Sequence, residues 1–511
     1  METGPRLLSS RLRDLRMRTL ALLALLAGPA LAQSVTQDPT FGPDGVVWLP
    51  SAEDETLVGL ELLEDDRVLL AVRSDADDSL VRLLSSGAPD PGFGTDGVVR
   101  LNDPEESIGS LALAPGGQIY VAGDAGPPTD VLLRRLLADG SPDLTFGTDG
   151  VVRTDVRGTA DRASALALTP DGRVVLVGTS SRPSGGLQWD LVAARYLPDG
   201  SLDPTFGDGG RAVLDVGTRP SPFRVRVLAD GRILVAGTLG GQWPSDALVL
   251  RLDPDGALDP AFGEGGITQL DYATQDYASG LAVLPDGRIV VTGSSGFEEA
   301  QNLNRARLLA DGTPDPAFEN GMLFLGDRQN SGADVAVLPS GHLLVVGAKY
   351  AGPDNLLRLH PDGSLDDAFG DGGVVQGTFG SNAVASAIRI QTDGKAVVGG
   401  WAGYPRTVAV ARFLNVLPVA AGAEPLAPFG LSVSPNPLTG RGLATLSLPT
   451  PAPVRVVVHD VVGRRVALLH DGPLPAGTHR FRFAAPSLAP GVYAITASTP
   501  GRTATRLVAQ L

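Results

Sequence analysis

The feature that most limits what this chain can fold into is a short motif, Asp-Pro-Thr-Phe-Gly, which occurs seven times in varied form. Its phenylalanine recurs with a period of about 50–60 residues, which is typical of propellers and repeat arrays. These phenylalanines are Phe41, Phe93, Phe146, Phe206, Phe262, Phe318 and Phe369. We therefore expect one structural unit repeated seven times, with the aromatic rings packed between neighbouring units.

Each repeat also contains an apolar run, a polar turn with glycine and a second apolar run, most clearly at residues 165–178. This pattern indicates a β-hairpin, because Asp-Gly pairs accept the positive φ angles of a tight turn. A third strand, which carries an arginine, precedes each phenylalanine, and a short apolar run follows it. Four strands per repeat and no helical periodicity predict an all-β fold, a seven-bladed β-propeller over residues 33–415. Alternation at residues 248–252 predicts a third strand with one exposed face.

The spacing of charged residues predicts how the ring closes. In six repeats an aspartate follows the third-strand arginine by eight residues; the pairs are Arg82 and Asp90, Arg135 and Asp143, Arg195 and Asp203, Arg251 and Asp259, Arg307 and Asp315, and Arg358 and Asp366. Arg412 has no such aspartate, and Asp38 has no such arginine. We expect Asp38 to meet Arg412, so that the N-terminal segment docks beside the last repeat.

Residues 1–32 have the organisation of a signal peptide. Five arginines precede an uncharged apolar stretch that ends in Ala-Leu-Ala at position 32, and this stretch is too short to span a bilayer. Met17 is an alternative start to Met1, because the sequence after it is a complete signal. Cleavage after Ala32 leaves 36 basic and 55 acidic residues and, by this interpretation, no transmembrane segment.

The composition and motifs argue against several kinds of function. Net negative charge disfavours binding to nucleic acid or to anionic membranes, and the absence of cysteine excludes disulfides and thiol chemistry. The Pro-Asp-Gly turns lack the ligand pattern of a calcium loop, and the five histidines never occur at metal-ligand spacing. We therefore predict no catalytic residue, metal site or cofactor from motifs, and an enzyme is the less favoured class.

The two recurring motifs, DGSLDPTFG-like and PDGRIVVTG-like, appear in the same order in repeat after repeat. In this respect the chain resembles the delta-60 repeat family, which consists of secreted bacterial proteins. The resemblance covers about three quarters of the chain and implies a propeller-like domain. It implies no particular activity, since none is generally assigned to the family.

The loops that lead into the arginine-bearing strands vary greatly, whereas the turns at the other end of the repeats are nearly uniform. Variable loops on a rigid scaffold commonly carry binding residues, and aromatic side chains are favoured anchors. The aromatic residues in these loops are Trp189, Trp243, Phe297, Tyr350, Trp401 and Tyr404. We interpret them as a rim that binds a carbohydrate or a protein; the alternative is that they cover the apolar ends of the sheets.

After a proline-containing linker at residues 416–430, the pattern changes. Residues 431–511 contain about seven short apolar runs separated by glycine and proline turns, which predict an immunoglobulin-like β-sandwich without a disulfide.

Several short elements occur in order within this last segment. Their main residues are Pro435, Asn436, Pro437, Asp460, Gly463, Gly477, Pro490, Gly491 and Tyr493. In these elements the segment resembles the type A sorting domain of the type IX secretion system, although it lacks a closing lysine. The resemblance implies export through the periplasm and across the outer membrane of a Gram-negative bacterium. It also implies removal of the domain, the usual outcome in the family, with attachment to surface lipopolysaccharide or release. The alternative is a fused sandwich used for adhesion.

Taken together, these features predict a secreted or cell-surface propeller that acts as a binding or structural module and has the type IX secretion machinery as a partner. The alternative is a secreted enzyme acting on polysaccharide, whose carboxylates would meet in the central tunnel or on the variable face. Such an enzyme needs one asymmetric cluster of acids with perturbed pKa values.

Overall fold

The structure, a computed structural model, divides into two compact units, residues 1–418 and 419–511. It describes residues 34–49, 53–101, 103, 105–183, 188–217, 219–240, 244–296, 301–325, 330–349, 353–417, 430–434, 441–448, 452–474, 477–484, 491–499 and 502–510.

The described part of the first unit begins with β1 (Thr36–Gln37), a 3-10 turn (Pro43–Gly45) and β2 (Val46–Trp48). Sheet 1 follows, with β3 (Glu55–Leu62), β4 (Val68–Ser74), β5 (Ser79–Leu83) and β6 (Val98–Arg100). Sheet 2 has β7 (Glu106–Leu113), β8 (Ile119–Ala125), β9 (Asp130–Leu136) and β10 (Val151–Thr154). Sheet 3 has β11 (Asp161–Leu168), β12 (Val174–Ser181), β13 (Trp189–Tyr196) and β14 (Arg211–Leu214).

Sheet 4 has β15 (Ser221–Val227), β16 (Ile233–Gly240), β17 (Ser245–Leu252) and β18 (Ile267–Leu270). Sheet 5 has β19 (Asp276–Val283), β20 (Ile289–Ser295), β21 (Asn302–Leu308) and β22 (Gly321–Leu323). Sheet 6 has β23 (Asn330–Val337), β24 (Leu343–Lys349), β25 (Asp354–Leu359) and β26 (Val374–Gln376). Sheet 7 has β27 (Ala383–Ile390), β28 (Ala396–Ala402) and β29 (Thr407–Leu414), and β29 also pairs with β1 and β2.

All these sheets are antiparallel, and in sheets 1 to 6 the strands follow one another in chain order. Each first strand carries an irregularity in its register against the second strand, for example between Ala163 and Ala165, and such bulges increase the local twist of a sheet. The second strands are buried at almost every position, as β12 illustrates. Apolar side chains on both faces of a strand require cover on both faces, which the neighbouring sheets provide.

The hydrophobic core lies between the sheets. Seven clusters of buried apolar residues each combine side chains from two successive sheets, and one of them joins sheet 7 to sheet 1. The first strand of each sheet contacts the first strand of the next, and β27 contacts β3. The described sheets therefore follow one another around a central axis.

A repeated cluster, which we call the Arg–Asp–Phe clamp, joins each sheet to the next at one end. In every copy the third-strand arginine donates from Nε to an aspartate Oδ2 at 2.7 to 2.9 Å. Its guanidinium carbon also lies 4.5 to 4.8 Å from the centre of a motif phenylalanine ring. The arginine charge is thus neutralised by a carboxylate and stacked on an aromatic face.

The same arginine reaches the neighbouring sheet. Its Nη1 donates to a backbone carbonyl in the turn that follows the next third strand, and the successive acceptors are Ala138, Pro198, Pro254, Ala310, Pro361, Val416 and Ser85. In five copies the phenylalanine ring packs against a glycine of that turn. A Cβ added at Gly140 would lie 2.8 Å from the Phe93 ring, which explains why glycine stands there.

The two ends of the repeat region meet within sheet 7. Asp38 accepts from Arg412 Nε at 2.9 Å, and its own N–H donates to the Arg412 carbonyl at 2.7 Å. Strand pairing continues on both sides of this ion pair, with Thr36 opposite Leu414 and Val46 opposite Ala411. The first strands of the described chain thus complete the last sheet.

The prediction of an exposed face on the third strand is wrong. In β17, every residue from Ala247 to Leu252 is buried. The reason is that the neighbouring sheets cover both faces, Leu248 and Leu250 packing against sheet 3 and Val249 against sheet 5, and that Arg251 is buried in its ion pair with Asp259. An arginine in an alternating pattern suggests contact with solvent, but here a partner eight residues later neutralises its charge.

The described part of the second unit contains two sheets. One has β30 (Gly430–Ser434), β31 (Arg441–Leu448) and β34 (Gly477–Ala484); the other has β33 (Arg465–Leu474), β32 (Ala452–Asp460), β35 (Gly491–Thr499) and β36 (Arg502–Gln510). One hydrophobic cluster combines residues of both sheets, including Leu446, Val456 and Ile495. Among the described residues, no helix is long and apolar enough to cross a membrane.

Candidate functional site

The first strands of all seven sheets line a central cavity of about 1150 Å³, which we call the channel. Its charged lining consists of Arg73, Arg162, Arg224, Arg226, Arg389, Glu61, Asp124 and Asp334. Five arginines and three carboxylates give this surface an excess of positive charge, although the whole chain carries a formal charge of −16. The channel is therefore a surface with excess positive charge in an acidic protein.

Arg389 is held by two carboxylates. Its Nη1 lies 2.8 Å from Asp334 Oδ2, and its Nη2 lies 2.9 Å from Glu61 Oε1. Burial alone would raise the pKa of Asp334, but the charges of Arg389, Arg224 and Arg226 hold that pKa below its usual value. These contacts fix Asp334 as an anion and leave the charges of the neighbouring arginines only partly balanced.

Arg226 has no carboxylate within 4.0 Å among the described residues. Its Nη1 donates to the Val225 carbonyl at 3.0 Å. Burial lowers the pKa of Arg226, and the charge of Arg389 lowers it further. A guanidinium with several unused donors, held among other cations, is well suited to receive an anion from solution.

Two aromatic rings accompany these charges. Phe223 and Tyr277 both line the channel, and their ring centres are 6.4 Å apart. Phe223 precedes Arg224, whose Nη1 donates to the Phe223 carbonyl at 3.0 Å. The channel thus combines apolar ring faces with guanidinium donors, the two kinds of group that recognise a ring bearing an acidic substituent.

One carboxyl in the channel has a raised pKa. Asp124 Oδ1 accepts from the Ala163 N–H at 2.8 Å, and burial raises the pKa of Asp124 even though this hydrogen bond and the charge of Arg162 oppose the rise. A carboxyl of this kind retains a proton at a higher pH than usual, as a general acid requires.

The predicted aromatic rim is only partly described. Trp189 and Trp401 are half-buried, with the guanidinium carbons of Arg162 and Arg406 at 5.2 and 4.8 Å from their ring centres. Tyr404 is 84% exposed. Trp243, Phe297 and Tyr350 lie outside the described residues. Because Arg162 also lines the channel, Trp189 links the predicted rim to the channel arginines.

Sequence spacing missed a pair of histidines. His360 Nδ1 and His342 Nε2 are 3.2 Å apart, and both rings lie 3.8 Å from Asp366. Burial lowers the pKa of His342, although Asp366 opposes the effect. Asp366 already accepts from Arg358 in a clamp, so we assign this cluster a structural role. His342 takes the place of a turn arginine or lysine that contacts the clamp aspartate in other repeats.

Some residues of the predicted sorting domain form a tight turn. Gly463 N–H donates to the Asp460 carbonyl at 3.0 Å, Gly463 has a φ of 80°, and Arg464 Nε donates to Asp460 Oδ2 at 3.0 Å. Val461 and Val462 at the tip are 76% and 82% exposed, whereas Tyr493 is buried opposite Asp460. Gly477 and Gly491 begin strands β34 and β35. Pro435, Asn436, Pro437 and Pro490 lie outside the described residues.

Comparison with known proteins bears on the repeat region. A family model described as "Domain of unknown function (DUF5122) beta-propeller" matches five segments, residues 115–146, 169–206, 228–262, 284–318 and 338–369. The repeat region is propeller-like. Each matched segment runs from a hairpin turn to a motif phenylalanine, so the match follows the repeats of the propeller. No curated protein matched the sequence.

Among solved structures, the propeller is similar to polysaccharide lyase Uly1, with a TM-score of 0.42, 11% identity, and coverage of 70% of this chain and 90% of that one. The bacterial surface protein PorZ of the type IX secretion system of Porphyromonas gingivalis is similar with a TM-score of 0.32, 14% identity, and coverage of 88% of this chain and 74% of that one. For virginiamycin B lyase from Staphylococcus aureus the TM-score is 0.38 and the identity 10%, with coverage of 72% of this chain and 98% of that one. At these values the similarities identify no function for this chain.

Proposed function

We propose that the protein is an exported seven-bladed β-propeller that binds an acidic saccharide in its channel. The seven blades correspond to the seven described sheets, with the ion pair of Asp38 and Arg412 closing the ring. The observation that carries the binding proposal is Arg226, a cation in the channel without a carboxylate partner among the described residues. A carboxylate or sulfate group on a sugar would supply that partner, and Phe223 and Tyr277 would face the sugar ring.

Binding of oligosaccharides of equal length tests this proposal. Calorimetric titration of the mature protein with a hexagalacturonate should show binding that weakens as salt is added, whereas an uncharged maltohexaose should bind much more weakly. The variant R226Q should lose about 10- to 100-fold in affinity, as expected for a charge-assisted hydrogen bond.

The matched control is R100Q, which removes the same charge from a side chain that is 62% exposed and does not line the channel. It should bind like the wild type. Equal affinity for the charged and neutral hexaoses, or wild-type affinity in R226Q, would contradict the proposal.

Asp124 favours a second candidate function, an enzyme acting on polysaccharide. Its raised pKa and its position in the channel would allow it to donate a proton to a leaving group. Incubation with hexagalacturonate should then produce shorter oligosaccharides with the wild type and none with D124N, while both bind the substrate. If hexagalacturonate stays intact after prolonged incubation with the wild type, the enzymatic function is rejected and only the binding function remains.

We further propose that the immunoglobulin-like C-terminal domain directs export by the type IX secretion machinery. Support comes from the motif residues in their order and from the Asp460 turn, which exposes Val461 and Val462. In a Gram-negative host with this machinery, deletion of residues 429–511 should leave the protein in the periplasm. Surface display of the truncated protein would reject the sorting role.

A point change separates the contribution of the turn from that of the whole domain. Replacing Val461 and Val462 together by serine should reduce secretion without unfolding the domain, because both side chains are exposed. Leu468, which is 46% exposed on β33, provides the control: L468S should be secreted normally. Equal secretion of the turn variant and the control would remove the turn from the sorting signal.

A further inference from the structure

Aspartates gather at the end of the sheets opposite the Arg–Asp–Phe clamps. At two places one carboxylate oxygen from each of three aspartates lies within 4.8 Å of the others. Asp130, Asp155 and Asp161 form the first group, between sheets 2 and 3, and Asp246, Asp271 and Asp276 form the second, between sheets 4 and 5. We call these groups the 2/3 trio and the 4/5 trio.

The two trios occupy equivalent positions in the repeat. The first aspartate lies at the start of a third strand, the second follows the fourth strand, and the last begins the first strand of the next sheet. The separation along the chain from Asp130 to Asp155 equals that from Asp246 to Asp271. The repeat therefore brings three aspartates together at the same positions in two places.

The 4/5 trio contains a buried carboxylate oxygen without a partner. Asp276 is 0% exposed, and its Oδ2 accepts the N–H groups of Tyr272 at 2.7 Å and Ala273 at 3.0 Å. Its Oδ1 is buried and has no hydrogen-bond partner among the described residues. An unpaired carboxylate oxygen in such a place costs free energy unless a donor or a cation satisfies it.

The other two members of the 4/5 trio add negative charge. Neither Asp246 nor Asp271 forms an ion pair within the described part of the chain. Burial raises the pKa of Asp246, and the charges of Asp271 and Asp276 raise it further. Three carboxylates thus converge with no cation supplied by the described residues.

The 2/3 trio repeats this geometry. Asp161 is 0% exposed, its Oδ2 accepts the Val156 N–H at 2.7 Å, and its Oδ1 again lacks a hydrogen-bond partner among the described residues. Burial raises the pKa of Asp161; the Ser180 hydroxyl and the Val156 N–H oppose the rise, and the charges of Asp155 and Asp130 add to it. The same oxygen is unsatisfied at the same position of both trios.

The junction between sheets 3 and 4 serves as an internal comparison. Asp190 and Asp215 have the same separation along the chain as the first two members of a trio, but Ser221 stands at the third position. Here arginines supply the positive charge. Arg182 contacts Asp190 at 2.6 Å and Asp215 at 2.9 Å, and Arg157 contacts Asp190 at 2.8 Å. Where these arginine contacts are present, the third carboxylate is absent.

We propose that the 2/3 trio and the 4/5 trio each bind a divalent cation, Ca²⁺ by the chemistry of the donors. Carboxylate oxygens are hard ligands, which favour Ca²⁺ or Mg²⁺ over transition metals. Ca²⁺–oxygen distances of about 2.3–2.6 Å place ligands on opposite sides of the ion about 5 Å apart, which suits oxygens within 4.8 Å of one another. Each ion would join two neighbouring sheets, because the third aspartate of each trio begins the first strand of the next sheet.

Calcium stoichiometry tests this proposal. The mature protein, stripped with EDTA and dialysed, should bind two Ca²⁺ per chain in a calorimetric titration with CaCl₂. D246N should bind one, and D130N combined with D246N should bind none. The melting temperature should rise on addition of CaCl₂ in the wild type, rise less in D246N, and stay constant in the double variant.

The matched control is D215N, which changes the equivalent aspartate that pairs with Arg182; it should still bind two Ca²⁺. D271N provides a second test of the 4/5 trio, since Asp271 is exposed and its loss leaves the buried groups in place. Two Ca²⁺ in both D246N and D271N would overturn the proposal. So would the same melting temperature in CaCl₂ and EDTA, or MgCl₂ stabilising the protein as strongly as CaCl₂.

Discussion

The two ends of the sheets differ in how the negative charge of their aspartates is balanced. At one end, every junction between successive sheets has an arginine that neutralises an aspartate and stacks on a phenylalanine. At the other end, Arg157 and Arg182 neutralise aspartates near one junction, and two other junctions each bring together three carboxylates. The comparison shows that repetition fixes the clamp end, whereas the opposite end can vary its source of positive charge.

The largest effect should come from breaking a clamp that has one cation. Gln118 stands where other repeats have a basic turn residue, so Asp143 pairs with Arg135 alone among the described residues. R135M leaves the buried Asp143 charge uncompensated and should lower the free energy of unfolding by about 3–5 kcal/mol. Urea denaturation measures this loss. R100M, at an exposed position, should stay within about 0.5 kcal/mol of the wild type, and equal values for both variants would reject the clamp as a stabilising element.

A smaller effect is expected where a clamp has two cations. Arg67 Nη1 lies 2.8 Å from Asp90 Oδ2, in addition to Arg82 at 2.7 Å. R82M should therefore destabilise the protein less than R135M in the same urea experiment, because Asp90 keeps a partner. A greater loss in R82M would show that the carboxylate charge is not what the arginine compensates.

Acid should weaken the clamps. The pKa of Asp143 lies below its ordinary value of 3.8, chiefly because the Thr145 hydroxyl donates to it, with the Thr145 N–H and Arg135 adding to the effect and burial opposing it. A carboxyl with a lowered folded-state pKa stabilises the fold above the unfolded-state pKa, and this contribution is lost as pH falls through the folded-state value. Urea unfolding from pH 7 to pH 3 should show a steeper loss in the wild type than in D143N, and parallel curves would contradict this account.

At the opposite end, the sign of one substitution should depend on calcium. In EDTA, D246N should melt a few degrees above the wild type, because one of three mutually repelling carboxylates is gone. In CaCl₂ it should melt below the wild type, because a ligand is lost. Differential scanning calorimetry in the two buffers checks the reversal, and a shift of the same sign in both would contradict it.

The smallest effect should come from the exposed part of the aromatic rim. Tyr404 is 84% exposed, so Y404A should change the free energy of unfolding by less than about 0.5 kcal/mol. W401A should cost more, because Trp401 is half-buried and stacks on Arg406. Equal stabilities of the two variants in urea would show that the Arg406 contact contributes nothing.

Much of the clamp end could be predicted from sequence, because its residues are local and repeated. The eight-residue spacing identifies the arginine and aspartate pairs, and the unmatched Asp38 and Arg412 predict a contact that lies at 2.9 Å. The stacking of arginine on phenylalanine was missed, although the spacing between the two, as between Arg135 and Phe146, is equally regular. A fixed spacing indicated proximity but not which atoms meet.

The candidate sites could not be predicted in the same way. Four of the five channel arginines lie on the first strands of sheets 3, 4 and 7, and Arg73 lies on the second strand of sheet 1, so their proximity depends on the arrangement of several sheets and not on any local motif. Each trio draws on strands of two sheets and on the segment that connects them, and a search for a twelve-residue calcium loop could not find them. Aligning the repeats would have shown the recurring separation of Asp246 and Asp271, but not the burial of Asp276.

The pairing of β1 and β2 with β29 has a consequence for topology. The two ends of the repeat region are held inside one sheet, by main-chain hydrogen bonds such as Asp38 N–H to the Arg412 carbonyl at 2.7 Å, and not merely by side chains between two sheets. Separating them requires breaking the main-chain hydrogen bonds that pair β1 and β2 with β29. A circular permutant of the repeat region can join residues 34 and 417 through a short linker and place new termini in a loop between two other strands. It should keep the native fold, and sheet 7 should fray less than in the protein with its natural chain order.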